Sequence, residues 1–491
     1  MWILLALGGA AAFLGRRLNL RDGDGGPTAR AIRIAAPVLL VASLAVALAQ
    51  TIVVSVLGGL ASALHTDTVG VTWLLTAFML ASAVATPIGG KLGDLFGYRH
   101  VMVGGLVLLV VGSAVSAFAV DHGSYSGTLV GRVIQGLAGG VFPCAFGYAR
   151  EVLPPARLGS VVPALSAMFG LGGAVGMLAA GPLVDRGGVS AIFWTVVVVA
   201  AFTLVLTVVL PTGGERIRRG AVDVVGAVLL AATLVALLLA VSQGRNWGWT
   251  SPAVIGLLIG AVVAAALLVV VERRAAEPLI DLRLLVGRDL LAVNAATIVV
   301  GAGMFAAVTL IPLFAQSPRQ LGYGFGFSAS RTGLLILPMA VFMVLATPIA
   351  PRVAARFGSR TVFQLGAALA ALGLVLLGLW HESPVEVAVG GAILGLAYGL
   401  AFGGLGSLVV GASPPEQTGA ATGINTILRT VGGAIGTVVA ATIVGASAPA
   451  PARPPTESGY TWAFLVSALI AVSACLIAAA IPRPDIHEPH V

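Results

Sequence analysis

The sequence predicts an all-α integral membrane protein of 14 transmembrane helices, built as two pseudo-symmetric six-helix bundles plus an inserted helix pair. Three observations lead there. Hydrophobic residues make up 58% of the 491 and charged residues 9%, with a mean hydropathy of +1.04. That leaves too little polar surface to solvate a globule of this size. The chain also repeats itself: ATPIGGKLGDLFGYR (Ala85 to Arg99) returns as ATPIAPRVAARFGSR (Ala346 to Arg360), GLAGG (Gly136 to Gly140) as GLAYG (Gly395 to Gly399), and GGAVG (Gly172 to Gly176) as GGAIG (Gly432 to Gly436). Three echoes in the same order, at nearly one offset, mark two homologous halves facing each other across a solute site. Third, the basic residues segregate by loop. Twenty fall on one face and five on the other, with Arg132 and Arg429 inside spans, which places both termini in the cytoplasm.

A span needs about 20 apolar residues to cross roughly 30 Å of hydrocarbon. Between turn signals such stretches lie at 34–57, 70–89, 101–120, 126–148, 160–183 and 189–210, and the cytoplasmic segment 1–33 precedes them. These six form an N-terminal bundle over 34–210. Spans at 222–242 and 252–271 belong to neither copy and sit in a linker, 211–289. Six more, at 290–314, 331–350, 361–380, 385–410, 421–446 and 460–481, form a C-terminal bundle over 290–482, before a short cytoplasmic tail, 483–491. Met1 to Leu14 is apolar but covers only about 21 Å as a helix. Its Arg16 and Arg17 follow it, whereas a secretory signal has its basic residues first. It reads as an interfacial helix, an overextended start, or a short fifteenth span.

Cys144 and Cys475 both fall in apolar stretches and read as small packing residues, so neither a disulfide framework nor a metal site is expected. The formal charge of +8 is spread over many short loops, a pattern of membrane orientation and not of nucleic-acid binding. The alternation of charged and aliphatic residues from Glu272 to Arg283 predicts an amphipathic segment on the cytoplasmic face. Asp223, opening the seventh span, suits a helix N-cap.

Several motifs carry chemistry. The loop Gly90-Lys-Leu-Gly-Asp94-Leu-Phe-Gly97-Tyr-Arg99 offers glycines for a tight turn and an acid able to cap a helix or pair with an arginine. It resembles the loop signature of the major facilitator superfamily, G-x-L-x-D-R-x-G-R-R, with Leu95 and Tyr98 in place of basic residues. Arg132 lies within the fourth span, where a charge costs several kcal/mol unless it meets a partner or a polar cavity. Arg132-Val-Ile-Gln135-Gly136 is similar to the superfamily's fourth-helix signature, which implies a role in proton handling; a structural arginine bonded to carbonyls is the alternative. Gly172, Gly176 and Gly181 lie over the family's antiporter signature, although small residues four apart also suffice for helix packing.

The first span, Leu48-Ala49-Gln50-Thr51-Ile-Val-Val54-Ser55-Val-Leu-Gly58, resembles L-D-x-T-I-V-N-V-A-L-P of the fourteen-span drug:proton antiporters. Ala49 stands where the family has an acid. The resemblance implies a bacterial cytoplasmic-membrane carrier, without a cofactor and not an enzyme, exporting amphipathic or cationic small molecules on the proton gradient by alternating access. It also implies a monomer whose partners are its substrate and the bilayer. Gln50, Thr51, Ser55, Arg132, Gln135, Asn294, Asn425 and Arg429 are the expected substrate or coupling cavity; Asn425 and Arg429 share a helical face and also suit an interhelical clamp. Gly90, Asp94, Gly97 and Arg99 form the expected conformational switch loop. A uniporter or importer of a small organic anion or nutrient is an alternative. A membrane enzyme acting on lipid-linked substrates is another, disfavoured by the missing metal-binding acids and nucleophile motif.

Overall fold

The computed structural model describes residues 29–66, 68–211, 223–275, 288–413, 418–447 and 455–479. The apolar segment Met1 to Leu14, most of the charged stretch from Glu272 to Arg283 and the tail 483–491 lie outside the described residues. Long helices follow one another throughout: α1 (Ala29–Thr51), α2 (Thr68–Phe96), α3 (Tyr98–Asp121), α4 (Tyr125–Val152), α5 (Pro155–Gly187), α6 (Ala191–Val209), α7 (Val224–Trp247), α8 (Pro252–Arg274), α9 (Arg288–Gln316), α10 (Ala329–Phe357), α11 (Ser359–Leu379), α12 (Pro384–Ala412), α13 (Thr418–Ala446) and α14 (Glu457–Ala479). Among the described residues, 12 helices are long and apolar enough to cross a membrane by length and composition. The number rises to 13 when the two segments of α10, bent by 45°, count as one span. By that measure the expected 14 is not reached. The helix outside that count is α5, in which many residues lie outside the described ones.

Two elements depart from the expected spans. The first span was expected to run unbroken over 34–57, but α1 ends at Thr51 and gives way to a 3-10 turn at Val54–Val56 and a short helix, Leu57–Ala63. β-branched residues crowd Ile52 to Val56 and two glycines follow, a poor stretch for a continuous helix. The fourth pass likewise contains a 3-10 turn, Leu137–Gly140, between Tyr125–Gly136 and Val141–Val152. Asp223 caps α7 by accepting the amide of Gly226 at 2.8 Å.

The repeat in sequence is a repeat in contacts. Gly136 of α4 lies against the Phe78 carbonyl of α2, and Gly395 of α12 against the Met339 carbonyl of α10. Gly172 and Gly176 of α5 lie against Ala47 and Thr51 of α1, as Gly432 and Gly436 of α13 lie against Ile298 and Ala302 of α9. A Cβ at any of these glycines would strike the neighbouring helix, so they set how closely the pairs approach. That matters in lipid, where packing and not water exclusion drives helix association.

Each half also ties off its own sixth helix. Gly97 (φ +89°) and Gly358 (φ +84°) take the left-handed conformation that glycine tolerates, turning α2 into α3 and α10 into α11. The arginine two residues on then reaches a helix C-terminus, Arg99 to the Thr207 and Val208 carbonyls of α6 and Arg360 to the Ala479 carbonyl of α14 at 2.7 Å. A cation suits that end of a helix.

Buried apolar side chains gather into two large clusters, one spanning Ala35 to Leu210 together with Val410, the other Leu290 to Ala478. A smaller cluster explains where the inserted pair docks. Leu230, Leu234 and Leu238 form a stripe on α7 that packs on Ala83 of α2, Ile424 and Ile427 of α13, and Leu268 of α8. Thus α7 lies along the seam between bundles. Most of α8 faces outward, with Ile259 and Val262 exposed.

Candidate functional site

Arg132 is fully buried at the centre of the N-terminal bundle. Nε donates to the Leu74 carbonyl of α2 at 3.1 Å, while Nη1 donates to the Ala49 carbonyl of α1 at 2.9 Å and to Gln135 Oε1 at 2.7 Å. Gln135 Nε2 donates in turn to Ser113 Oγ of α3 at 2.8 Å, so one guanidinium organises four helices. Its Cζ sits 4.4 Å from the centroid of the Phe78 ring. Nη2 is buried and makes no hydrogen bond. Ala49 is the position where the resemblance expects an acid, and there the arginine meets a backbone carbonyl instead.

The neighbours expected to share a cavity with Arg132 are placed differently. Thr51 Oγ1 donates to the Ala47 carbonyl at 3.0 Å and to the Gly172 carbonyl of α5 at 3.2 Å, which puts it in the α1–α5 packing surface. Hydroxyls in apolar helices commonly satisfy themselves on backbone in this way. Gln50 is half-buried at the end of α1. Ser55 falls in the 3-10 turn, and its side chain lies outside the described residues. Gly181, a turn beyond Gly176, is buried in α5.

Arg429 occupies the seam itself. It is 4% exposed on α13, with Cζ 5.2 Å from the ring of Phe142 on α4 and 5.2 Å from that of Phe402 on α12. An aromatic ring from each bundle therefore flanks the cation, an arrangement that is favourable when desolvated. A cavity of about 20 Å³ remains beside it, bordered by Phe146, Thr422, Asn425 and Thr426. That is room for about one water molecule. Asn425 both borders this cavity and clamps α13 to α9, its Nδ2 donating to Thr297 Oγ1 at 2.6 Å. Asn294 is buried on α9 and does not border it.

The acid of the expected switch loop has a partner one turn away. Asp94 Oδ1 accepts from the Tyr98 hydroxyl at 2.6 Å, and the Tyr98 ring lies against Gly93 of α2 and Gly147 of α4. Gly90 is buried beside them.

One residue escaped sequence reasoning. Arg150, at the end of α4, reaches across to the other bundle: Nη1 lies 2.6 Å from the Val410 carbonyl, 3.0 Å from the Ser413 carbonyl, 3.2 Å from Ser413 Oγ and 2.7 Å from Thr418 Oγ1. It gathers the C-terminus of α12 and the start of α13. Nearby, Gly423 of α13 faces Thr86 and Pro87 of α2 and Pro143 of α4. The seam is closed at the end that carries the Gly90 to Arg99 turn. No motif announces such a residue, because its partners are backbone carbonyls and hydroxyls some 260 positions away.

Comparison with known proteins agrees with this geometry. Residues 39–223 and 293–490 match the family model of the Major Facilitator Superfamily, leaving the inserted pair between the two matched stretches. An uncharacterized MFS-type transporter of Mycobacterium tuberculosis is 32% identical over 421 residues, covering 84% of this chain; the chain spans 60% of the length of that relative. The Tetracenomycin C resistance and export protein of Streptomyces glaucescens is 31% identical over 404 residues, covering 80% of this chain and 72% of that protein. The crystal structure of the human organic anion transporter MFSD10 covers 91% of this chain and 99% of its own, with a TM-score of 0.65 at 18% identity, a likeness of fold. The two matched stretches coincide with the two repeated bundles, and the chain belongs to the Major Facilitator Superfamily.

Proposed function

We propose that this carrier exports amphipathic organic compounds across a bacterial cytoplasmic membrane by alternating access, drawing on the proton gradient. The arginine-rich end, with both termini, faces the cytoplasm on the charge tally. The units that move are the bundles 34–210 and 290–482, with α7 of the linker 211–289 lying along the seam. The observation that carries this reading is the seam, where two repeat-related bundles meet around Arg429 and are latched at one end by Arg150. In this reading the described conformation is the inward-closed one, and breaking the latch opens the cavity to the cytoplasm. Relatives named for tetracenomycin export, multidrug resistance and actinorhodin transport support outward movement of organic compounds.

Coupling is unconventional in this proposal. Ala49 removes the family's first-helix acid, so the proton is carried by a boundary acid such as Asp94 or Asp223, or by a titrating substrate. Inside-out vesicles test the whole. A panel of amphipathic dyes should accumulate when a pH gradient is imposed and stop when it is collapsed. Movement that ignores the gradient would favour the uniporter, and no movement of any compound in either direction would overturn the proposal. Coupling that persists with a permanently charged quaternary cation would remove the substrate-borne route.

A further inference from the structure

A second cavity lies between α10 and α12 of the C-terminal bundle, with a volume of about 730 Å³. Leu334, Pro338 and Phe342 of α10 form one wall, and Val389, Ala392 and Leu396 of α12 the other. None of the residues that line it borders the seam cavity beside Arg429. Around α12, Gly395 and Gly399 face α10, Gly390 faces Leu377 of α11, and Phe402, Leu405 and Gly406 face the seam cavity. The remaining sector holds Val385 and Val389, 70% and 53% exposed, opposite Leu334, 58% exposed. In a membrane helix such a sector faces lipid.

The groove follows α10 from Arg331 to Phe342 and α12 from Val385 to Leu396. At 1.5 Å per residue that is about 16 Å, close to half of a hydrocarbon core of about 30 Å, one leaflet deep. It starts at the N-termini of both helices, where Ser328 and Ser383 cap them. Among the described residues that line it, Arg331 is the only charged one, and it stands at that starting end.

We propose that the groove is a phospholipid site, with one acyl chain laid between α10 and α12 and the phosphate held by Arg331. Charge and shape both select this occupant. A slot with apolar walls gives a polar ligand nothing to orient it below Arg331, whereas an acyl chain needs only contact. The guanidinium at the headgroup level matches a phosphate diester in geometry as well as sign. The site has a route to the transport cycle, because α10 also packs on α5 across the seam. A lipid seated between α10 and α12 supports the wall on which the opposite bundle rests.

The test is native mass spectrometry of the purified full chain, titrated with phosphatidylglycerol and, separately, with diacylglycerol bearing the same chains. Wild type should retain one phosphatidylglycerol at concentrations where diacylglycerol is lost. Arg331→Gln, an exposed change that leaves the fold alone, should lower phosphatidylglycerol retention at least fivefold. Ala392→Trp should fill the slot and abolish retention, while Val198→Trp on the exposed face of α6 should behave as wild type. Equal retention by wild type and both groove variants would overturn the proposal. So would retention of diacylglycerol on a par with phosphatidylglycerol, or the loss of a dimer in place of a lipid with Ala392→Trp.

Discussion

Replacing Arg132 with alanine is expected to bring transport to background and to lower the stability of the detergent-purified protein. The side chain joins the Ala49 and Leu74 carbonyls to the Gln135–Ser113 pair. Its removal strands Gln135 and leaves a void where four helices meet. Each buried polar group left without its partner costs about 1–3 kcal/mol, a large share of the stability of most folded domains. The sharper variant is Arg132→Lys, which keeps the charge and loses the planar fork. One ammonium cannot span α1 and α2 in the same way. Arg132→Lys should therefore reach the membrane at normal levels and transport at less than a tenth of the wild-type rate, read from dye flux against protein amount. Wild-type transport by Arg132→Lys would mean that the fork geometry is irrelevant to function.

Arg132 was legible in the sequence because a lone charge in an apolar span has few explanations, and bonding to carbonyls was one of the two read for it. The paired glycines were legible for a similar reason. A close helix approach leaves only glycine, so Gly136 and Gly395, or Gly172 and Gly432, survive as echoes when the rest of the repeat has drifted. Hydroxyls carry no such mark. Thr51 reads equally as a cavity residue or as a packing residue, and its bonds to Ala47 and Gly172 place it in the second class. The break after Thr51 was missed because an apolar run signals length in the membrane without signalling continuity of the helix. Arg150 was counted only as a loop cation. Its partners are carbonyls and hydroxyls of α12 and α13, which no spacing rule connects to it.

Arg150 supports the second large effect. Arg150→Gln should open the arginine-rich end of the seam by removing a charged donor from the α12 carbonyls and Thr418. A hydrogen bond to a charged group contributes about 1.5–3 kcal/mol. A shift of that size changes a two-state population by roughly 10- to 150-fold. The readout is the rate at which a membrane-impermeant maleimide, applied from the arginine-rich side, labels Gly423→Cys in a background carrying Cys144→Ser and Cys475→Ser. Labelling should accelerate at least tenfold with Arg150→Gln. An unchanged rate would mean that Arg150 decorates the seam without latching it.

The central claim is that the two bundles must part at this seam for solute to cross, and a reversible cross-link tests it. A Cβ built at Gly423 lies 3.7 Å from the Cβ of Pro143 on the opposite bundle, within the roughly 3.5–4.5 Å that a disulfide spans. Pro143→Cys together with Gly423→Cys, in the background free of native cysteines, should therefore cross-link on mild oxidation. Dye transport in vesicles should stop when the bond forms and return when it is reduced. Full transport by protein shown to be quantitatively cross-linked would contradict the account.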